Sequence, residues 1–354
     1  MYIYTKIVNY LDYLIRKNSD NEEFLLPSES QLCAKFNASR VSVRRAFEEL
    51  KKNDLIYSEK GKGYYINTKN SSLKNNIHRK KLSFTFISTT LNRHHRINIL
   101  NGINQFCNQN DISCTAMLSY NDPLLEQNKL HEAIDMQTDG IILFPSDCNI
   151  YSMELFKLLK YKTPIVLVDR NLHGLNLPYI SSNHFEMAYK AIEWFYKRNI
   201  KEIVYISHQD DISSAVRDRQ NGIQKGLLDF MGRINKHNLI YDSLPKSELY
   251  NFYYEYFSNH PEINGIIYTT SENLQYLFKA LQDLNRKVNE DVFLIFIDDE
   301  HLVYSEYGAT SHPTILQDGF SIGYTAASSL LKLIHNPNDS FEEIYIPVKY
   351  INWD

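Results

Sequence analysis

The residues best suited to a chemical task in this 354-residue chain are basic and lie close together near its beginning. Arg40, Arg44 and Arg45 fall in the first half of a predicted helix, and Lys60 and Lys62 follow that helix. A guanidinium group can donate paired hydrogen bonds to a guanine edge or a phosphate, and a lysine adds a flexible positive charge. These side chains predict contact with a nucleic acid.

The surrounding stretch predicts the elements that would position these cations. Ser28 occupies an N-cap position, and Gln31 three residues later completes a capping box. Ser39 can cap the second helix, predicted over about 40–52, whose apolar residues repeat at helical spacing and form one buried stripe. A hairpin with a basic, glycine-flanked tip follows. The candidate DNA-binding residues are Ser28, Ser39, Arg40, Ser42, Arg44, Arg45, Lys60, Lys62 and Gly63.

A basic helix face taken alone usually indicates only a solvated surface. Here the order of helix, turn, basic helix and basic hairpin favours a DNA-binding unit whose second helix enters the major groove. The segment also resembles the winged helix-turn-helix repressors of the GntR family. One departure is Ser30, where many members carry an arginine that contacts DNA. The shared motifs are Pro27-Ser28-Glu29, Ser39-Arg40, Val43-Arg44-Arg45-Ala46 and Gly61-Lys62-Gly63.

The charge distribution separates the chain into a basic beginning and an acidic remainder. The net charge of −4 combines +7 over residues 1–81 with −11 over residues 82–354. This asymmetry predicts that only the N-terminal part contacts nucleic acid. Residues 68–81 are polar and predict a linker between a DNA-binding domain over 1–67 and a second region over 82–354.

Several observations bear on the cellular setting. The four cysteines show no metal-ligand or CxxC spacing, which favours reduced thiols in a cytoplasmic protein. The first 17 residues predict an amphipathic helix rather than a signal peptide, and no apolar run is long enough to span a membrane. No cofactor or metal site is predicted.

The region after residue 82 predicts an α/β fold with parallel sheets. Short apolar strands alternate with amphipathic helices, in two successive series that indicate two subdomains with a cleft at the carboxyl ends of their strands. Helices are predicted notably over 97–110 and 124–137. Strands are predicted over 82–88, 113–118, 140–144, 164–169, 178–182, 202–207, 238–242, 265–269 and 292–298.

Polar side chains that follow these strands are the candidate ligand-binding residues. Carboxylates, guanidinium groups, amides and hydroxyls that converge on a cleft suit a polyhydroxylated ligand. The alternative for each is structural, since an aspartate at a strand end is more often a cap or a surface charge. The candidates are Asn92, His94, Arg96, Asp147, Arg170, Asn183, Arg219, Thr270, Asp298 and Gln317, with His95 and Asp169 beside them.

The same region resembles the effector domain of LacI/GalR repressors, which is similar to periplasmic sugar-binding proteins. The resemblance implies a two-subdomain periplasmic-binding-protein-like module, with Arg219 and Asp298 as the main ligands of sugar hydroxyls and Asp147 on the opposite wall. Thr270-Ser271 departs from the Asn-Asp pair that is frequent in that family. The matching segments are Asp139-Gly140-Ile141-Ile142, Pro164 to Arg170, Arg219-Gln220-Asn221-Gly222, Ile297-Asp298-Asp299 and Pro313 to Gln317. A GntR-type head on a LacI-type body resembles the arabinose-repressor subgroup.

The sequence does not favour an enzyme. Asp298, Asp299 and Glu300 form a carboxylate cluster, but adjacent side chains usually point apart, and no HExxH, GxSxG, P-loop or GxGxxG motif is present. We therefore expect a cytoplasmic, homodimeric repressor of carbohydrate-utilisation genes that binds operator DNA and responds to a small sugar. The alternatives are the same regulator with a purine, a sugar phosphate or another metabolite as effector, and a small-molecule-binding protein without regulatory output.

Overall fold

A computed structural model describes residues 3–18, 24–67, 81–147, 155, 157–158, 163–172, 174–207, 213–235, 238–269, 273–297, 312–336 and 343–353. Within these residues, no helix is both long and apolar enough to cross a membrane. The same residues contain no group of three or more His, Cys, Asp or Glu side chains placed to hold a metal ion.

The N-terminal unit is a winged helix. Its elements are α1 (Ile3–Lys17), α2 (Glu29–Phe36), α3 (Arg40–Lys52) and the antiparallel strands β1 (Ile56–Glu59) and β2 (Gly63–Ile66). The predicted capping box is present, since Ser28 accepts a hydrogen bond from the backbone of Gln31 and Gln31 bonds back to the backbone of Ser28. The stripe of α3 is buried against one face of α1, formed by Ile7, Leu11 and Ile15.

From Ser83 onward, strands and helices alternate. The strands are β3 (Ser83–Ser88), β4 (Ser113–Leu118), β5 (Gly140–Leu143), β6 (Ile165–Val168), β7 (Tyr179–Ser181), β8 (Ile203–Ser207), β9 (Leu239–Tyr241), β10 (Gly265–Tyr268), β11 (Phe293–Ile297), β12 (Thr314–Leu316), β13 (Ile344–Tyr345) and β14 (Lys349–Ile351). The helices are α4 (His94–Gln109), α5 (Pro123–Asp135), α6 (His184–Lys197), α7 (Ser214–Gly226), α8 (Lys246–Asn259), α9 (Leu274–Asp283) and α10 (Gly319–His335).

These strands form two separate sheets. The first has the order β13-β7-β6-β5-β3-β4 and is parallel throughout. The second has the order β14-β12-β11-β10-β8-β9, in which only β14 runs antiparallel to its neighbour among the described strands. The predicted fold class, a winged helix-turn-helix followed by two parallel-sheet α/β subdomains, is confirmed. We call the subdomain around the first sheet the N-subdomain and the other the C-subdomain.

The chain passes between the two sheets more than once. It leaves the N-subdomain after β7, returns from β12 to α10 through Gln317 and Asp318, and passes out again between β13 and β14. Helix α10 therefore belongs to the N-subdomain, where Ile322, Ala326 and Leu330 pack with Phe84 and Phe86 of β3. The carboxyl ends of the strands are adjacent to these crossings.

Candidate nucleic-acid interface and ligand cleft

The recognition helix α3 presents a basic face to solvent. Ser39 caps the helix by accepting a hydrogen bond from the backbone N–H of Ser42, so the first turn begins at Arg40 as predicted. Arg40, Arg44 and Arg45 are exposed, because the buried stripe lies on the other side of the helix. A capped helix with cations on its first turns can place guanidinium groups at base edges or phosphates.

A carboxylate on α2 orients Arg44. The Nε atom of Arg44 lies 3.2 and 3.0 Å from the two carboxylate oxygens of Glu29. The side chain of Arg44 is 64 % exposed, so this pair limits the rotamers of Arg44 while leaving it accessible to a ligand. Arg45 points elsewhere, since its guanidinium lies 4.5 Å from the ring centre of Tyr4 on α1.

Val41 is a candidate contact that the sequence reasoning missed. It occupies the first turn of α3 and is 77 % exposed, although valine is usually buried. A methyl-bearing side chain at this position can contact the C5-methyl group of thymine in the major groove. Its position off the apolar stripe was the signal in the sequence that could have identified it.

The hairpin forms a wing with the predicted basic tip. Lys62 pairs with Glu59 at 2.9 Å, and its hydrogen bond to Glu59 raises the pKa of Lys62. Gly63 has φ of +131°, and a side chain there would approach Leu25. Lys60 and Lys62 are exposed. Ser28 and Ser39 use their hydroxyl oxygens as helix caps, which places both beside the candidate interface.

Two arginines share one aromatic ring at the carboxyl edge of the N-subdomain sheet. The guanidinium carbons of Arg96 and Arg170 each lie 5.0 Å from the ring centre of Phe144. Arg170 forms an ion pair of 2.9 Å with Asp147 and also donates to the carbonyl oxygen of Pro145. The structure thus brings three of the predicted ligand residues together, because β3, β5 and β6 are adjacent strands.

The environment of Arg96 differs from that of Arg170. Arg96 donates a hydrogen bond of 2.7 Å to the hydroxyl of Thr90, a neutral partner. Burial, followed by repulsion from Arg170, lowers the pKa of Arg96 to about 10, so it stays a cation at neutral pH. A half-buried guanidinium with spare donors can bind ligand oxygens.

The loop that carries Asp147 is held by residues that the sequence reasoning did not select. Asn121 accepts from the backbone N–H of Asp147 and donates to its carboxylate. Glu126 accepts from the backbone N–H of Ser146, and burial raises the pKa of Glu126. These contacts fix the carboxylate of Asp147 beside Arg170.

Asp169 forms a buried polar cluster behind these arginines. Its φ is +63°, and its carboxylate lies 3.0 Å from Nε2 of His95 and 3.6 Å from Nε2 of His184. Burial by itself would raise the pKa of Asp169, but hydrogen bonds from His184 and His95 hold it well below the usual value. His95 therefore turns inward, whereas the neighbouring His94 is exposed and contacts Asn98 on its own helix.

The remaining predicted ligand residues are distributed around the crossing segments. Arg219 is buried in α7, whose first residue, Ser214, accepts a hydrogen bond of 2.7 Å from the backbone of Asn171 in the N-subdomain. Gln317 lies in the crossing between β12 and α10. Asn183 caps α6, and Asn92 is exposed and accepts from Thr90. Thr270 and Asp298 lie outside the described residues.

Two protein families match this chain, one for each part. The family described as bacterial regulatory proteins, gntR family, matches residues 3–66. The family described as periplasmic binding protein domain matches residues 84–337.

Curated relatives match along most of the chain. The arabinose metabolism transcriptional repressor of Halalkalibacterium halodurans is 22% identical over 320 residues, which cover 87% of this chain and 82% of the relative. The probable HTH-type transcriptional regulator EndR of Paenibacillus polymyxa is 23% identical over 264 residues, covering 73% of this chain and 75% of the relative.

Solved structures show the same fold for about three quarters of the chain. The transcription regulator CcpA of Lactococcus lactis superposes with a TM-score of 0.66 at 18% identity, covering 77% of this chain and 97% of that one. A LacI family regulator of Enterococcus faecium with bound ribose has a TM-score of 0.62 at 18% identity, covering 76% and 96%. The arabinose binding protein AraP of Geobacillus stearothermophilus has a TM-score of 0.64 at 17% identity, covering 76% and 96%.

Proposed function

The chain belongs to the periplasmic binding protein domain family and carries a GntR-type winged helix, and from this we propose that it is a transcriptional repressor of carbohydrate-utilisation genes. A small sugar in the cleft between the two α/β subdomains would change its affinity for operator DNA. The observation that carries the proposal is the pairing of an exposed, capped, arginine-bearing helix with a cleft edge that carries Arg96, Arg170 and Asp147.

On the DNA side, α3 would enter the major groove. Arg40 and Arg44 would bind base edges or phosphates, Arg45 would contact the backbone, and the wing would bring Lys60 and Lys62 to the phosphates. The other candidates, Ser28, Ser39, Ser42 and Gly63, would support this surface. Exposure of the three arginines and the orientation of Arg44 by Glu29 support this assignment.

On the ligand side, Asp147 would accept from sugar hydroxyls while Arg96 and Arg170 donate to others. Arg219 would contribute from the C-subdomain, with Gln317 at the crossing. Thr270 and Asp298, which lie outside the described residues, remain proposed ligands. The name of the H. halodurans relative and the ribose bound to the E. faecium regulator support a sugar as the effector class. Since binding and release suffice for this role, we propose no catalytic activity.

We further propose that the protein acts in the cytoplasm as a homodimer. Symmetric dimers are the commonest oligomers, and a two-fold dimer would present two winged helices to the two halves of a palindromic operator. The salt dependence of operator binding by the wild type and by Lys62→Ala tests this assembly state.

A thermal-shift screen tests the ligand class. The full chain is screened against pentoses, hexoses, 6-deoxyhexoses, their phosphates and purines, alone and as the Arg96→Gln variant. A ligand at about 100 times its dissociation constant adds roughly 2.7 kcal/mol to stability. We expect a neutral sugar to raise the melting temperature of the wild type, Arg96→Gln to lose that shift, and Lys197→Gln to keep it.

A shift only with phosphorylated sugars would overturn the neutral-sugar assignment while keeping the regulator. One observation favours that second candidate: the Arg96 cation donates a hydrogen bond to the neutral hydroxyl of Thr90 and is repelled by Arg170. An anionic ligand group would add negative charge beside the two guanidinium groups.

A further inference from the structure

The winged helix contacts the N-subdomain through a small interface at the end of α10. The ring centres of Tyr13 and His335 are 4.2 Å apart, and Tyr10 lies 6.0 Å from the same histidine. Lys35 of α2 donates a hydrogen bond to Asn336, the C-cap residue of α10. Because Tyr10 and Tyr13 are three residues apart on α1, they share one helix face.

This face of α1 differs from the face that packs in the core of the winged helix. Ile7, Leu11 and Ile15 are fully buried in the core of the winged helix. Tyr10 also packs against Phe36 of that core at 5.4 Å, edge to face, and the ammonium of Lys35 lies 4.3 Å from the Tyr10 ring. Tyr10 and Lys35 are therefore held by contacts within the winged helix as well as by contacts with the N-subdomain.

The chemistry of the interface is complementary. The last carbonyl groups of a helix carry partial negative charge, so a lysine at the C-terminal end of α10 is favourably placed. Lys35 occupies that position, bonded to the C-cap residue Asn336. His335 is only 9% exposed, and aromatic contacts with Tyr10 and Tyr13 cover its ring.

The opposite end of α10 begins at the candidate ligand cleft. Gly319, its first residue, is so close to α4 that a Cβ atom there would lie 2.5 Å from the carbonyl oxygen of His95. Farther along, a Cβ at Gly323 would lie 1.9 Å from the carbonyl oxygen of Ile99. These approaches leave no room for α10 to slide on α4, so the two helices move as one body.

We propose that the winged helix docks on the N-subdomain through Tyr10, Tyr13 and Lys35 against His335 and Asn336, and that this docking makes the recognition helix follow the state of the cleft. The regulatory part rests on the proposed function, whereas the docking itself does not. Docking leaves the DNA-facing side open, since Val41 and Arg44 remain largely exposed. When the subdomains close on a ligand, a docked head turns with the N-subdomain; an undocked head would be connected to it only through the chain.

Hydrogen exchange of the full-length protein tests the docking without any ligand. Tyr13→Ala, His335→Ala and the control Lys332→Ala, an exposed residue one turn earlier on α10, are compared with the wild type. We expect His335→Ala to speed exchange in α1 and Tyr13→Ala to speed exchange in the last turn of α10, each at least several-fold. We expect Lys332→Ala to leave α1 unchanged. Unchanged exchange in α1 and α10 of both interface variants would overturn the docking.

Operator binding then tests the regulatory role, with DNA selected from a random pool and with L-arabinose and D-ribose as probes. Allosteric coupling typically changes affinity about 5–150-fold. We expect such a change in the wild type and less than a twofold change in Tyr13→Ala, which should keep the thermal shift with the same sugar. A full response in Tyr13→Ala would overturn the coupling. If neither sugar changes the operator affinity of the wild type, the proposed effector class is contradicted. The hydrogen-exchange rates of α1 and α10 would still test the docking.

Discussion

At the scale of single residues, several side chains of both candidate sites are held by a charged or polar neighbour. Glu29 orients Arg44, Asp147 pairs with Arg170, and the two histidines hydrogen-bond to Asp169. Such pairs restrict rotamers before a ligand arrives, which reduces the entropy lost on binding. We therefore expect substitution of one partner to affect binding or stability more than its contact area alone would suggest.

The first prediction concerns Arg44. Arg44→Ala should weaken specific operator binding by about 1–3 kcal/mol if the guanidinium contacts a guanine. Fluorescence anisotropy with the selected operator measures the effect. Lys52→Ala, at the other end of the same helix and also exposed, should have a smaller effect. Equal affinities of wild type and Arg44→Ala would refute a base-reading role for this arginine.

The second prediction concerns the pH dependence of stability. Asp169→Asn keeps a residue type that tolerates positive φ. It removes the negative charge of the carboxylate that hydrogen-bonds to His95 and lies 3.6 Å from Nε2 of His184. A folded pKa below the unfolded value means that the carboxylate stabilises the fold at neutral pH, and this contribution is lost as pH falls through the folded pKa.

We expect Asp169→Asn to be about 3 kcal/mol less stable at pH 7, with the difference narrowing below a pH of about 4. Urea unfolding at pH 7 and at pH 3 measures this difference in the free energy of unfolding. Asp229→Asn, which removes an exposed ion pair with Lys225, should cost much less. A difference from wild type that stays constant from pH 7 to pH 3 would show that the charge of Asp169 is not the cause.

At the scale of elements, the packing of α10 on α4 depends on glycine. The third prediction is that Gly323→Ala destabilises the chain, because the new methyl group would meet the Ile99 carbonyl oxygen. Alanine gains about 1 kcal/mol of helix propensity over glycine, but overpacking of this kind costs about 1–3 kcal/mol. Thermal unfolding should show a net loss for Gly323→Ala and little change for Ser328→Ala. A more stable Gly323→Ala would mean that the two helices can separate without cost.

Strands β3 to β11 could be predicted from the sequence because they are short apolar runs, and each agrees with the predicted strand to within one residue at either end. The short strands β12, β13 and β14 lack such runs, and β13 and β14 lie only four residues apart in different sheets. These strands form because they pair with segments that are distant in the sequence, so a local sequence pattern does not predict them.

In the candidate sites too, some residues could be predicted from the sequence and others could not. The recognition helix could be predicted because its caps, stripe and cations lie within one segment. The sequence could not decide between His94 and His95, since adjacent helical residues point about 100° apart and the helix orientation was unknown. Phe144 carried no polar signal, and its role as a platform for two arginines appears only when β3, β5 and β6 are side by side.

At the scale of the whole molecule, assembly determines how many DNA contacts each complex makes. The fourth prediction uses Lys62, whose ammonium is exposed on the wing. Each lost phosphate contact reduces the slope of log affinity against log salt by about 0.9. A homodimer loses two phosphate contacts in Lys62→Ala, so we expect the slope to fall by about 1.8. The control variant Lys349→Ala, in β14 of the C-subdomain, should leave the slope unchanged. A fall of about 0.9 would indicate that one copy binds.

The length of α10 has its own consequence for the molecule. Its first residue is fixed against His95 and its last against Tyr13, so the number of residues between them sets both the distance and the angle at which the head sits. One inserted residue would turn the final contact through about 100° and advance it by about 1.5 Å. The number of residues in α10 therefore fixes the position of the winged helix on the N-subdomain. An insertion or deletion in this helix would misalign the winged helix even if every side chain were retained.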